Sequence, residues 1–166
     1  MRILYRGVFY MKKVNWFDLL EIVLITELIG ILGSLLSGNN QEVYTSFRQP
    51  PLAPPGWVFG IIWPILYLLM AIAAYCILQI GPHADSKAAM AFYWAQLIVN
   101  FFWPIVFFRW QRLWLSVGVI VLLDVLVLIT AIRFYQLKKA AGYLMVPYLL
   151  WILFATYLNI GIAVLN

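Results

Sequence analysis

Five apolar runs, each long enough to cross a lipid bilayer, divide this chain and leave few folds open to it. A spanning helix needs about 20 mostly apolar residues. Runs of that kind fall at about 17–36, 57–78, 88–108, 113–132 and 143–165. The chain is 66% hydrophobic and only 10% charged, against roughly 45–50% and about 25% for soluble domains. One small core could not hide that excess. The expected fold class is therefore all-α, an integral membrane bundle of five transmembrane helices. Residues 1–16 read as an N-terminal cytoplasmic tail, and 17–166 as the transmembrane domain. The loop at 37–56 is the one connection long enough to form a structured lid.

The run after Met11 is not read as a cleaved signal. Asp18, Glu21 and Glu27 interrupt it, and it is too long for a signal core. Met11 offers an alternative start, which would make Met1–Tyr10 dispensable. The net charge is +5, but the bases flank apolar runs, where they set topology and do not indicate a nucleic acid partner. Arg2, Arg6, Lys12, Lys13, Lys87, Arg133, Lys138 and Lys139 share one side of a five-span chain. Arg48, Arg109 and Arg112 share the other. This bias predicts a cytoplasmic N-terminus, with the 37–56 loop and Asn166 outside.

Familiar catalytic chemistry is missing from the sequence. One Cys (Cys76) forms no intrachain disulfide, and one His (His83) makes no multi-histidine metal site. Neither a P-loop nor a dinucleotide, zinc-protease or nucleophile-elbow motif occurs. No metal and no resident cofactor is expected.

The informative residues are aromatic and amide. In the third span, Gln96, Asn100, Trp103 and Phe107 share one helical face. In the fifth, Pro147, Trp151, Ala155 and Asn159 follow one another at i+4 steps. In the second, Trp63, Tyr67 and Ala74 form a stripe. Amides in hydrocarbon must pair across helices or face a cavity. Aromatic walls with few polar groups suit a flat apolar ligand. Trp57, Trp110 and Trp114, near span ends, read as an interfacial belt. Glu27 and Asp124 lie near mid-span, and each should face the interior, as part of a pathway or as a protonated carboxyl bonded across helices. Gly30, Gly33 and Ser34, and Ala91 with Ala95, are candidates for close helix contact within or between copies.

The loop carries Pro50, Pro51, Pro54 and Pro55. Proline fixes φ and extends its predecessor, so two Pro-Pro steps make a stiff segment. Pro55 precedes the second span, where a missing N–H does little harm.

Together these motifs resemble the TspO/MBR family, which comprises tryptophan-rich sensory proteins and the translocator protein or peripheral benzodiazepine receptor. The resemblance rests on "VYTSFRQPPLAPPGWVFGIIWPILY", "QLIVNFFWPIVFF" and "PYLLWILFATYLN", in that order, and covers nearly everything from Glu27 to Asn159. Val43 stands where the family has Trp, Gln49 where it has Lys, and Pro104 where it has a small polar residue. The aromatic-plus-base C-terminus linked to cholesterol in animal members is missing. The resemblance implies a multi-pass protein of a bacterial cell membrane, often a homodimer, with five helices around a pocket open towards the first loop. It implies a receptor or sensor for tetrapyrroles such as protoporphyrin IX and haem, and for benzodiazepine and isoquinoline ligands. Carried over by motif, the ligand would meet Tyr44, Pro54, Trp63, Tyr67, Asn100, Trp103, Phe107, Trp151, Ala155 and Asn159. The resemblance also implies at most one enzymatic activity, light-dependent porphyrin degradation, with Trp63 and Trp151 as photo-oxidative candidates. The alternative reading is a small transporter or channel for porphyrin or another apolar metabolite, using Glu27 and Asp124.

Overall fold

A computed structural model describes residues 14–166. Most of the expected tail, with Met1, Met11, Arg2, Arg6, Lys12 and Lys13, lies outside the described residues. The described chain is all-helical: α1 (Trp16–Ser37), α2 (Asn40–Ser46), α3 (Trp57–Leu78), α4 (Ala84–Pro104), α5 (Leu113–Leu137) and α6 (Lys139–Leu165). A π-helical turn, Ile105–Arg109, extends α4. Among the described residues, five helices are long and apolar enough to cross a membrane, with α4 counted through Arg109. The protein is a multi-pass integral membrane protein.

Helix ends depart from the apolar runs for a physical reason. Hydropathy stops at the first charge, whereas helical hydrogen bonding stops at a cap. Thus α4 begins at Ala84, because His83 caps it: His83 Nδ1 accepts from the Ser86 N–H (3.0 Å), and Ser86 Oγ accepts from the His83 N–H (3.0 Å). His83 is thus the N-cap of α4, in a reciprocal capping arrangement with Ser86. Likewise α5 runs past Arg133 to Leu137, and α6 starts at Lys139. Lys138 alone breaks them, with extended φ −153° and ψ 109°. The 37–56 loop contains α2, whose start is capped by the Asn39 side chain.

The core is built where α3, α4, α5 and α6 converge, around fully buried Met70, Tyr93, Phe134 and Tyr148. Tight contacts use small residues. A Cβ on Gly142 would lie 2.6 Å from Tyr135 Cα, so the α5–α6 hairpin closes only around a glycine. Gly30 faces the Tyr67 ring, and a Cβ on Gly33 would meet the Phe101 carbonyl oxygen at 3.1 Å. Those two glycines therefore serve contacts of α1 within this bundle, to α3 and α4. Thr26 Oγ1 and the Tyr93 hydroxyl, 2.6 Å apart, pin α1 to α4 about two turns further along. Cys76 is a free, half-buried thiol. Trp57, Trp110 and Trp114 are exposed near helix ends, where indoles favour the membrane–water boundary.

Candidate ligand cavity

A cavity of about 480 Å³ lies between α1, α3, α4 and α6, beneath α2. Eight residues singled out from the sequence line it: Tyr44, Trp63, Tyr67, Asn100, Trp103, Phe107, Ala155 and Asn159. Pro54 and Trp151 do not. The Pro54 carbonyl accepts from the Tyr44 hydroxyl (3.1 Å), so Pro54 holds a lining residue in place. Burial pushes the Tyr44 hydroxyl up from the usual tyrosine value, which keeps that donor protonated. Trp151 packs edge-on against Phe59, itself a lining ring, with centroids 5.8 Å apart. Its buried Nε1 has no partner among the described residues.

The polar groups of the walls are mostly bonded to one another. Tyr67 Oη donates to Asn100 Oδ1 (3.2 Å), Asn100 Nδ2 donates to Tyr148 Oη (2.7 Å), and Tyr148 Oη donates to Gln96 Oε1 (3.0 Å). Gln96 thus belongs to the interhelical network and does not line the cavity, although it shares a stripe with Asn100. Nearer the loop, Trp103 Nε1 donates to Asn159 Oδ1, and Asn159 Nδ2 to Ser116 Oγ, both at 2.9 Å. These bonds fix the amides and turn ring faces and edges inward.

Replacing Asn159 with Leu would strand the Trp103 indole N–H and loosen α4 from α6. We expect a loss of about 1–2 kcal/mol in detergent unfolding, together with a shifted tryptophan emission. Wild-type stability and emission in that variant would contradict the bond.

Sequence reasoning missed two contributions. The first comes from α1, where Glu27, Gly30, Ile31 and Ser34 line the cavity; their i, i+3, i+4, i+7 spacing is a readable stripe. The second is the π-helical turn. It follows Pro104 directly and is closed by Trp110 N–H donating to the Ile105 carbonyl (3.0 Å). That wide turn lets adjacent Phe107 and Phe108 both reach the cavity. Phe107 stacks on Trp103 at 5.4 Å. Turns of this kind recur at functional sites.

Asp124 does not line the cavity. It sits at the α5–α6 seam, where Thr156 Oγ1 donates to Oδ2 at 2.8 Å. The structural half of its sequence reading fits this placement.

The proline-rich loop is fastened to α6. Pro50 is buried against Gly161. Tyr157 Oη donates to the Pro51 carbonyl (2.7 Å). The Arg48 N–H donates to Asn166 Oδ1 (3.0 Å), and Asn166 Nδ2 donates to the Arg48 carbonyl (3.1 Å). Gln49 Nε2 donates to the Tyr44 carbonyl, and Phe47 packs edge-on against Phe107. Ala53 N–H donates to the Pro50 carbonyl across a turn that puts Leu52 at φ 65°. Lining residues Ile31, Leu35, Trp57 and Gly60 are also exposed. The cavity therefore opens at the surface of the bundle along the α1–α3 seam, which Gly30 and Tyr67 close further down.

Residues 22–165 match the model of the TspO/MBR family. The chain is 37% identical over 153 residues to the tryptophan-rich protein TspO of Archaeoglobus fulgidus, covering 92% of this chain and 99% of that protein. It is 40% identical over 134 residues to a tryptophan-rich sensory protein of Cereibacter sphaeroides, covering 81% and 82%. It is 30% identical over 147 residues to the translocator protein of Bos taurus, covering 87% of each.

Proposed function

Because the chain belongs to the TspO/MBR family, we propose that it is a membrane receptor or sensor whose cavity takes a flat, largely apolar ligand of the tetrapyrrole class. Protoporphyrin IX and haem are the first candidates, and smaller benzodiazepine or isoquinoline ligands suit the same walls. The observation that carries this reading is the cavity itself, where Trp63, Tyr67, Trp103 and Phe107 supply ring surface and the amides are already bonded. Relatives named for sensing and for translocation add support. Photo-oxidative turnover at Trp63 is a secondary part of the proposal, since an indole in the wall would stand beside an excited ring.

Titration of detergent-purified protein with protoporphyrin IX, followed by tryptophan quenching, tests it. Saturable binding is expected. Trp63→Ala should weaken it about fivefold through lost ring contact. Trp151→Phe should leave affinity within about twofold, because that side chain lies outside the lining. Absence of saturable binding would remove the proposal.

The transporter reading drew on two mid-span carboxylates. Only Glu27 lines the cavity, while Asp124 is engaged by Thr156 elsewhere. This favours a binding chamber over a carboxylate-lined conduit.

A further inference from the structure

We propose that Glu27 makes the deep end of the cavity selective for a cationic group, so that its preferred small ligands are flat aromatics bearing a protonated amine. The inference rests on the reading of the cavity as an aromatic ligand site and adds a charge preference to it.

Glu27 lies about 15 Å along α1 from Ser37. On the facing helix, Tyr67 lies about as far from Trp57. Gly30 meets the Tyr67 ring between them, so both side chains belong to the end of the cavity away from the loop. At this level Tyr67 and Asn100 satisfy one another. The Glu27 carboxyl has no such partner among the described residues, although it lines the cavity. No Lys, Arg or His lines the cavity among the described residues. Ile31, Trp63 and Pro64 line the cavity about one helical turn closer to the loop.

A carboxyl at this depth is costly without a partner. A ligand ammonium supplies one, and the indole and phenol faces add cation–π attraction. An ammonium meeting the carboxylate and a free amine meeting the carboxyl end in the same charge-assisted pair, with one proton shared between them. An anionic group there would face a like charge, or an uncharged carboxyl, in a weakly screening medium. The acidic side chains of a tetrapyrrole would therefore stay towards the loop, where Arg48 and Arg109 lie. Arg109 is held there by donating to the Leu36 carbonyl (3.0 Å).

The test uses one ring with three charges: 9-(aminomethyl)anthracene, 9-anthracenemethanol and 9-anthracenecarboxylate, titrated into the detergent-purified full chain by fluorescence. The amine should bind about tenfold or more tighter than the carboxylate. In Glu27→Gln that preference should fall to about twofold or less, with the carbinol titrated as the uncharged reference in both proteins. An unchanged amine-to-carboxylate ratio in the variant, or a wild-type preference for the carboxylate, would overturn the proposal. A readout on the unmutated protein guards against a variant that does not fold. The amine, and not the carboxylate, should protect Glu27 from an apolar carbodiimide, scored by peptide mass; equal labelling also overturns it. Protoporphyrin IX titrated alongside separates the two readings. Anthracene binding with the charge preference but no porphyrin binding sinks the tetrapyrrole assignment alone, and porphyrin binding without the preference sinks this one alone.

Discussion

Gly142→Val should destabilise the bundle by about 2–3 kcal/mol, more than other single changes on the α5–α6 hairpin that add the same volume at exposed positions. The reason lies in what the new atoms would strike. A Cβ at 142 would come within 2.6 Å of Tyr135 Cα and 2.9 Å of its backbone nitrogen. A side-chain tip can swing away, but a helical backbone cannot move without shifting the whole turn. Lys138 is the one residue separating the two helices, so the hairpin has almost no slack with which to absorb the push. Gly142→Ala should show a smaller loss of the same sign. Unfolding in micelles, monitored by circular dichroism, checks both, with Gly118→Val as the control because nothing lies within 4 Å of its Cβ position. Equal stability of the 142 and 118 variants would mean that the hairpin does not close at this point.

Gly161→Leu should speed ligand release about twentyfold while leaving unfolding within about 1 kcal/mol. A Cβ at 161 would stand 2.6 Å from Pro50 Cβ and 2.8 Å from its Cγ, so the loop must lift. Lifting Pro50 strains the adjoining ties, the Pro51 carbonyl to Tyr157 and the Arg48–Asn166 pair. It also draws Phe47 from Phe107 and Gln49 from Tyr44, both of which back lining residues. Stopped-flow displacement of bound protoporphyrin IX measures the release rate. A variant that unfolds early yet releases ligand at the wild-type rate would make the loop an anchor for α6 and not a cover. Because the loop is already tied down at several points, its stiffness serves to hold an existing closure more than to prepare a moving one.

Much of the fold was legible because the bilayer reduces the problem to length and polarity. A chain with five apolar runs and short connections has little choice but an antiparallel bundle. The residues Asn100, Trp103 and Phe107 were legible for a related reason, since an amide in hydrocarbon needs company and the aromatics at helical spacing supply a wall. The reading failed where a row of residues was followed too far. Steps of four advance about 40° beyond a full helical turn, so a row from Pro147 to Asn159 winds around α6. Ala155 and Asn159 line the cavity, with Leu158 and Ile162 completing their stripe, and Trp151 has turned towards Phe59. Pro54 was misplaced for another reason. Its role is carried by a backbone carbonyl, which leaves no mark in the identity of the side chain. The placement of Asp124 at a seam and not in the cavity was harder to read, because Glu27 and Asp124 both sit near mid-span and only the rotation of each helix separates them.

The π-helical turn after Pro104 has a consequence for how the cavity can change. An extra residue in one turn resets the angular phase of everything beyond it by about 100°. Before the turn, α4 keeps the phase that its core contacts require, with Tyr93, Gln96 and Leu97 turned inward. Within it, Phe107 and Phe108 leave that phase and both face the cavity. The helix is thus two rulers joined end to end. Removing one residue between Ile105 and Arg109 would re-aim the aromatic wall without moving a single core residue of α4, so the shape of the chamber can vary by single-residue insertion and deletion while the bundle that holds it stays fixed.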